Sequence, residues 1–136
     1  MADTFTPAQR SAMMARVRNR NTKPEMVVRS LLHRMGYRFR LHRRNLPGSP
    51  DIVLPRHKKV IFVHGCFWHG HSDCKRAARP TSNTSFWNDK INRNINRDLQ
   101  ALQNLSEQNW QSLTIWDCEL RDLPAIESIL RFYLSP

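Results

Sequence analysis

Cys66, His71 and Cys74 stand in the spacing C-x4-H-x2-C, and Cys118 follows after 43 intervening residues at the end of an apolar, strand-like run. No other feature of the chain limits its fold as strongly. Two thiolates and an imidazole this close, with a fourth ligand delivered by folding, suit a tetrahedral zinc ion. The loop after "VIFVH" and the end of "SLTIWDC" must then meet at one point. Four protein ligands would close the coordination sphere, so the zinc is expected to be structural rather than catalytic. The same loop holds His64 and His69, and spacing alone lets either His69 or His71 complete the set. If His71 turns to the metal, His69 falls on roughly the opposite side of an extended loop and is a candidate general base.

The set also uses every cysteine. Three cysteines cannot all pair with one another, and an odd count without an export signal argues against a disulfide framework. "MADTFTPAQR" has no apolar signal-peptide core, and no apolar run approaches the ~20 residues that span a bilayer. A cytoplasmic protein with reduced thiols is expected.

Among 136 residues there are 22 Lys/Arg against 11 Asp/Glu, a formal charge of +11. The excess is concentrated: Arg10 to Arg44 contains eleven basic residues and one acid, Glu25. Such a stretch points to a polyanionic partner, nucleic acid before anionic membrane. The length suits one domain over residues 1–136.

Element signals give the order ααβββαβα. Thr6-Pro7, with Gln9, opens a first helix that runs to about Arg20. Thr22 caps a second, with Glu25 at the position of a capping box, and Gly36 ends it. "YRFRLH" alternates as a half-exposed strand, "LPGSP" turns, "DIVLP" is a short strand, and "VIFVH" is a buried one. A long helix is expected from about Ser85 to Gln108, with Trp87, Ile91, Ile95, Leu99, Leu102 and Leu105 along one face and Asp98 off that stripe. "SLTIWDC" reads as a further buried strand, and residues 124–134 as a final helix.

Asp51 opens a strand behind a proline. With Glu25 on the preceding helix it suggests a metal-dependent nuclease site, because phosphodiester cleavage gains from a divalent cation and Mg²⁺ needs only one or two carboxylates. The next strand, Val60 to His64, lacks the acid and lysine usual in such nucleases, so histidines would take their place. Asp98 would orient one of them. A non-enzymatic, zinc-stabilised DNA-binding module is the rival reading. It has no need of Asp51, His64, His69 and Asp98 together.

"LPGSPDIVLP", "VIFVHGCFWHGHSDC", "FWNDKINRNINRD" and "IWDCEL", in this order, resemble the very short patch repair (Vsr) endonucleases of bacteria. The resemblance implies a zinc-containing restriction-endonuclease-like fold, an α/β domain whose mixed central sheet is flanked by helices. It implies Mg²⁺-dependent nicking 5′ to the thymine of a T·G mismatch left by deamination of 5-methylcytosine. Asp51 then matches the Mg²⁺ carboxylate, joined by the backbone carbonyl of Val63, where some members carry threonine. His69 matches the general base, Asp98 its support, His64 a group acting at the phosphate or leaving oxygen, and Glu25 a supporting acid. Cys66, His71, Cys74 and Cys118 match the zinc ligands, in a loop one residue longer between His71 and Cys74. Phe67, Trp68 and Trp87 match an aromatic wedge entering from the major groove, and Met14, on the DNA-contacting N-terminal segment 1–21, a side chain entering from the minor groove. Lys90 and Asn94 match residues at the mismatched bases. The resemblance further implies a monomer, a bacterial nucleoid location, and a functional link to a cytosine-5 DNA methyltransferase and to mismatch-repair proteins.

Overall fold

The computed structural model describes residues 21–136, so the expected first helix and Met14 lie outside the described residues. Helix α1 (Lys23–Arg34) is followed by strands β1 (Arg40–Leu41), β2 (Ile52–Leu54) and β3 (Lys59–His64). Helix α2 (Thr84–Glu107), strand β4 (Gln111–Trp116) and helix α3 (Leu123–Leu134) complete the chain. The four strands lie in the order β1-β2-β3-β4. The first two junctions are antiparallel and β3-β4 is parallel, with α2 as the crossover. The expected mixed α/β sheet is what forms, and no helix among the described residues is long and apolar enough to cross a membrane.

The period of two along each strand builds two cores. Ile52, Leu54, Ile61 and Ile115 face Val28, Leu31 and Leu32 of α1 and Ile126, Leu130 and Leu134 of α3. Val53, Val60 and Phe62 point the other way, onto Leu46 of the loop before β2 and Leu105 of α2. The central strands are covered on both faces, which is why β2 is uninterruptedly apolar. Each such fully buried aliphatic side chain contributes roughly 1.5–3 kcal/mol. The same alternation places Asp51, His64 and Trp116 on the α2 side of the sheet, which is where the chemistry gathers.

Two glycines set how closely α2 approaches. A Cβ at Gly48 (φ 75°) would stand 2.7 Å from Ala101 Cβ, and one at Gly70 (φ 60°) 2.6 Å from Ile95 Cδ1. Both positions combine left-handed backbone with helix contact, so only glycine fits without displacement.

Several expectations need correction. The first strand is two residues long rather than the span of "YRFRLH", and His42 turns out of its far end at φ 48°. Strand β4 borders the sheet among the described residues and is half-covered, with only Ile115 fully buried. Leu99 is 60% exposed, whereas Ile91, Ala101 and Leu105 are buried. At ~100° per residue, Asp98 lies only about 20° round the helix from Ile91 while Leu99 lies about 80° away. Asp98 therefore occupies the inward stripe and Leu99 does not.

Candidate active site and metal centre

Asp51 ends the turn entering β2. Its Oδ2 accepts a hydrogen bond from the backbone N–H of Val63 at 2.7 Å, a donor near the end of β3. Burial pushes the Asp51 carboxyl up to about 6, against the pull of that bond and with Glu25 adding to the rise. A carboxylate held this uncomfortably in a cleft has the character of a cation ligand.

Glu25 is 1% exposed. Only half of the expected capping box forms: Thr22 Oγ1 accepts from Glu25 N at 3.3 Å, but the Glu25 carboxylate does not return to the Thr22 N–H. It turns inward, accepting from the Asn21 N–H at 3.2 Å, from Arg29 at 3.3 Å, and meeting His42 Nε2 at 2.9 Å from each oxygen. The His42 N–H donates to the Asp51 carbonyl at 3.1 Å. One ligand atom each from Glu25, His42 and Asp51 lie within 4.8 Å of one another.

Across the cleft, His69 Nδ1 is 2.7 Å from Asp98 Oδ2. With Asp98 accepting at Nδ1, the Nε2 of a neutral His69 is left as the basic nitrogen. The ring lies flat on His64, centroids 3.7 Å apart and planes within 3°. Burial, then the neighbouring His69, lowers His64 to about 4, so it is neutral at pH 7. His64 Nδ1 is buried without a hydrogen-bond partner among the described residues, an arrangement that native proteins keep mainly where function requires it. These groups line a cleft of about 510 Å³. Arg44 and Arg97 line it too. Neither was singled out by sequence, where they were two among many basic residues; Arg97 adjoins Asp98 on the helix, and that adjacency was the available signal.

Next to this cleft, Cys66, His71, Cys74 and Cys118 gather with their ligand atoms within 4.8 Å of one another. His71 Nδ1 is 3.5 Å from Cys118 Sγ. That matches the edge, about 3.5 Å, of a tetrahedron with Zn–S near 2.3 Å and Zn–N near 2.0 Å. The donor set and its spacing therefore fit zinc. The loop is folded by bonds from the His71 N–H to the Cys66 carbonyl at 3.0 Å and from the His69 N–H to the Gly65 carbonyl at 3.2 Å. His71 joins the sulfurs and His69 joins Asp98, an arrangement that spacing left open.

Between Cys66 and His69 in the chain, the loop displays Phe67 and Trp68 against Trp87, with centroids 5.2–5.9 Å apart. Phe86, 52% exposed and 5.2 Å from Trp87, extends this cluster and had not been expected. Lys90 Nζ sits 5.8 Å over Trp68, and Asn94 donates to the Trp68 carbonyl at 2.8 Å. Asn94 thus braces the cluster from α2.

The fold and the site together define a nuclease class. In overall shape the chain is similar to the catalytic domain of the homing endonuclease I-Bth0305I, with a TM-score of 0.58 over 85% of this chain and 97% of that one at 24% identity, a likeness of fold alone. The family is narrower than the fold: a model of DNA mismatch endonuclease Vsr matches residues 2–76, and the chain belongs to that family. It is 49% identical, over all of its length and 99% of the relative, to type II nicking enzyme V.XorIIP of Xanthomonas oryzae pv. oryzae. It is 41% identical to DNA mismatch endonuclease Vsr of Escherichia coli, over 89% of this chain and 77% of that protein. The protein is a DNA endonuclease, and the rival reading of a binding module without chemistry is set aside.

Proposed function

We propose that this endonuclease nicks one strand of duplex DNA 5′ to the thymine of a T·G mismatch. The observation that carries the reading is the meeting, in one cleft, of the Asp51 carboxylate and the Asp98–His69–His64 array. Asp51 and the Val63 carbonyl would hold Mg²⁺, which when bound offsets charge developing on the phosphate and acidifies attacking water. Glu25, through His42, keeps the cation side of the cleft in place.

His69 takes the proton of the attacking water at Nε2, while Asp98 holds the tautomer and steadies the cation that results. His64 stays neutral and acts at the phosphate or the leaving oxygen. Arg44 and Arg97 bind backbone phosphates, fixing register without reading sequence. Cys66, His71, Cys74 and Cys118 would hold a structural zinc that fixes the loop.

Discrimination falls to Phe67, Trp68 and Trp87, inserted beside the mismatch, with Met14 from the opposite groove and Lys90 and Asn94 at the bases. Unstacking takes a few kcal/mol per step and least at a mismatch, so insertion itself favours T·G over a paired step. The reading includes a monomer working at the nucleoid in the cytoplasm, downstream of a cytosine-5 DNA methyltransferase and alongside mismatch-repair proteins. The test is a pair of end-labelled duplexes that differ only in T·G against T·A, incubated with Mg²⁺. One nick in the thymine strand of the first is expected; equal cutting of both, or cutting of neither, would refute it.

A further inference from the structure

Four rings run in one continuous column along the end of the sheet. His69 stacks on His64 at 3.7 Å. His64 meets Trp116 edge-on, centroids 5.3 Å apart and planes at 75°. Trp116 in turn lies flat on His71, at 4.1 Å and 10°. The ends are anchored: His69 to Asp98 at 2.7 Å, and His71 within the sulfur cluster, 3.5 Å from Cys118 Sγ.

The middle of the column is set by the backbone. His64 and Trp116 are register partners at the ends of the parallel strands β3 and β4, so their side chains stand side by side on one face. The Trp116 N–H donates to Glu119 Oε1 at 2.8 Å, at the start of the 3₁₀ turn Asp117–Arg121 that carries Cys118. Trp116 is thus fastened to the sulfur cluster twice, by its ring through His71 and by its backbone through that turn. His64 has no such fastening. No hydrogen bond to its ring is found among the described residues, and His69, Trp116 and Phe62 surround it, Phe62 tilted at 5.5 Å.

From this geometry we infer that Trp116 is a positioning residue of the nicking reaction. It passes the placement of His71, fixed at the zinc centre, to His64, and through the stacked pair to His69. The inference rests on the reading of His64 and His69 as the groups that act on the phosphodiester. A space-filling role for Trp116 would tolerate an aliphatic side chain. A positioning role requires a ring, because a flat face on one side and an edge on the other are what hold two imidazoles in fixed planes.

The test uses the zinc-loaded protein and the Trp116→Leu, Trp116→Phe and His69→Ala variants, with zinc content, duplex affinity and single-turnover nicking measured for each. Trp116→Leu should keep zinc and bind duplex within about two-fold, yet nick roughly 10- to 100-fold more slowly, the scale expected when catalytic groups are displaced by a fraction of an ångström to an ångström. Trp116→Phe should recover most of the rate. In the unmutated protein, exchanging zinc for the larger cadmium ion should move the imidazole NMR resonances of His64 and His69 together with those of His71, a measurement that decides the matter even if Trp116→Leu does not fold. Full nicking by Trp116→Leu beside an inactive His69→Ala would overturn the inference. So would a cadmium-induced change confined to His71, or protein isolated without zinc. Normal nicking by His69→Ala would instead overturn the catalytic reading on which the inference depends.

Discussion

Replacing Asp51 by asparagine should make the protein inactive and, without added metal, more stable. Burial raises the folded-state carboxyl from 3.8 to about 6, so at pH 8 the native fold holds an ionised group that the unfolded chain would hold more comfortably. The sign follows from proton uptake: between pH 6 and 3.8 the folded state binds the proton more tightly than the unfolded state, so wild-type stability gains as pH falls through about 6. The climb from 3.8 to about 6 corresponds to ~3 kcal/mol. Asp51 retains some solvent contact, which screens the effect. Asparagine also exchanges a charge-assisted bond from the Val63 N–H for a neutral one, forfeiting ~1 kcal/mol. A net gain of ~1–2 kcal/mol at pH 8 is expected, or roughly 3–10 °C in Tm for a domain of this size. Paired melts of Asp51→Asn and wild type at pH 5 and pH 8 in chelator would measure it. The gap should shrink at pH 5, where wild-type Asp51 is largely protonated, and Mg²⁺ should narrow it at pH 8 by stabilising wild type alone. A variant no more stable than wild type at pH 8, or a gap independent of pH, would refute the argument. So would residual Mg²⁺-dependent nicking at the wild-type rate.

The two histidines of the loop should separate cleanly. His69→Ala is expected to lose ~10²–10⁴-fold in single-turnover nicking with zinc retained, whereas His71→Ala should lose zinc and melt lower; metal analysis beside the nicking assay would expose an exchange of roles. Asp98→Asn should slow nicking without unfolding the chain, and its effect should fall short of adding to that of His69→Ala, since the two act as a unit. Gly48→Ala should lower stability by ~1–3 kcal/mol, because its methyl would meet Ala101 Cβ at 2.7 Å on a backbone at φ 75°; unchanged melting would contradict the packing described. Trp68→Ala should reduce the preference for T·G over T·A duplex more than it reduces affinity for matched DNA, which competition binding with the two duplexes would resolve.

Local sequence carried much of this protein. Thr22 and Gly36 mark the limits of α1 because caps and turns are short-range chemistry. The apolar run from Val60 to Val63 announced a strand covered on both faces. The sulfur and imidazole spacing announced a cluster able to hold a metal, since ligands eight residues apart can close on one ion whatever the rest of the chain does. What sequence left open was direction. Glu25 satisfied a capping pattern, yet its carboxylate is drawn to His42, a partner 17 residues away. Asp98 and Leu99 differ by one helical position, and the close approach of α2 over Gly48 and Gly70 decided that the carboxylate, not the leucine, faces the sheet. His69 and His71 were equivalent by spacing until α2 offered Asp98 to one, and the end of β4 with the turn after it offered Trp116 and Cys118 to the other. Arg44 and Arg97 became distinct from other arginines only when the 42–51 loop, the end of β3 and α2 closed a cleft around them. Periodicity and spacing fix which side chains can share a face or an ion, because they depend on nearby backbone; which partner each one meets depends on contacts between distant segments, and only the packed sheet and helices bring those segments together.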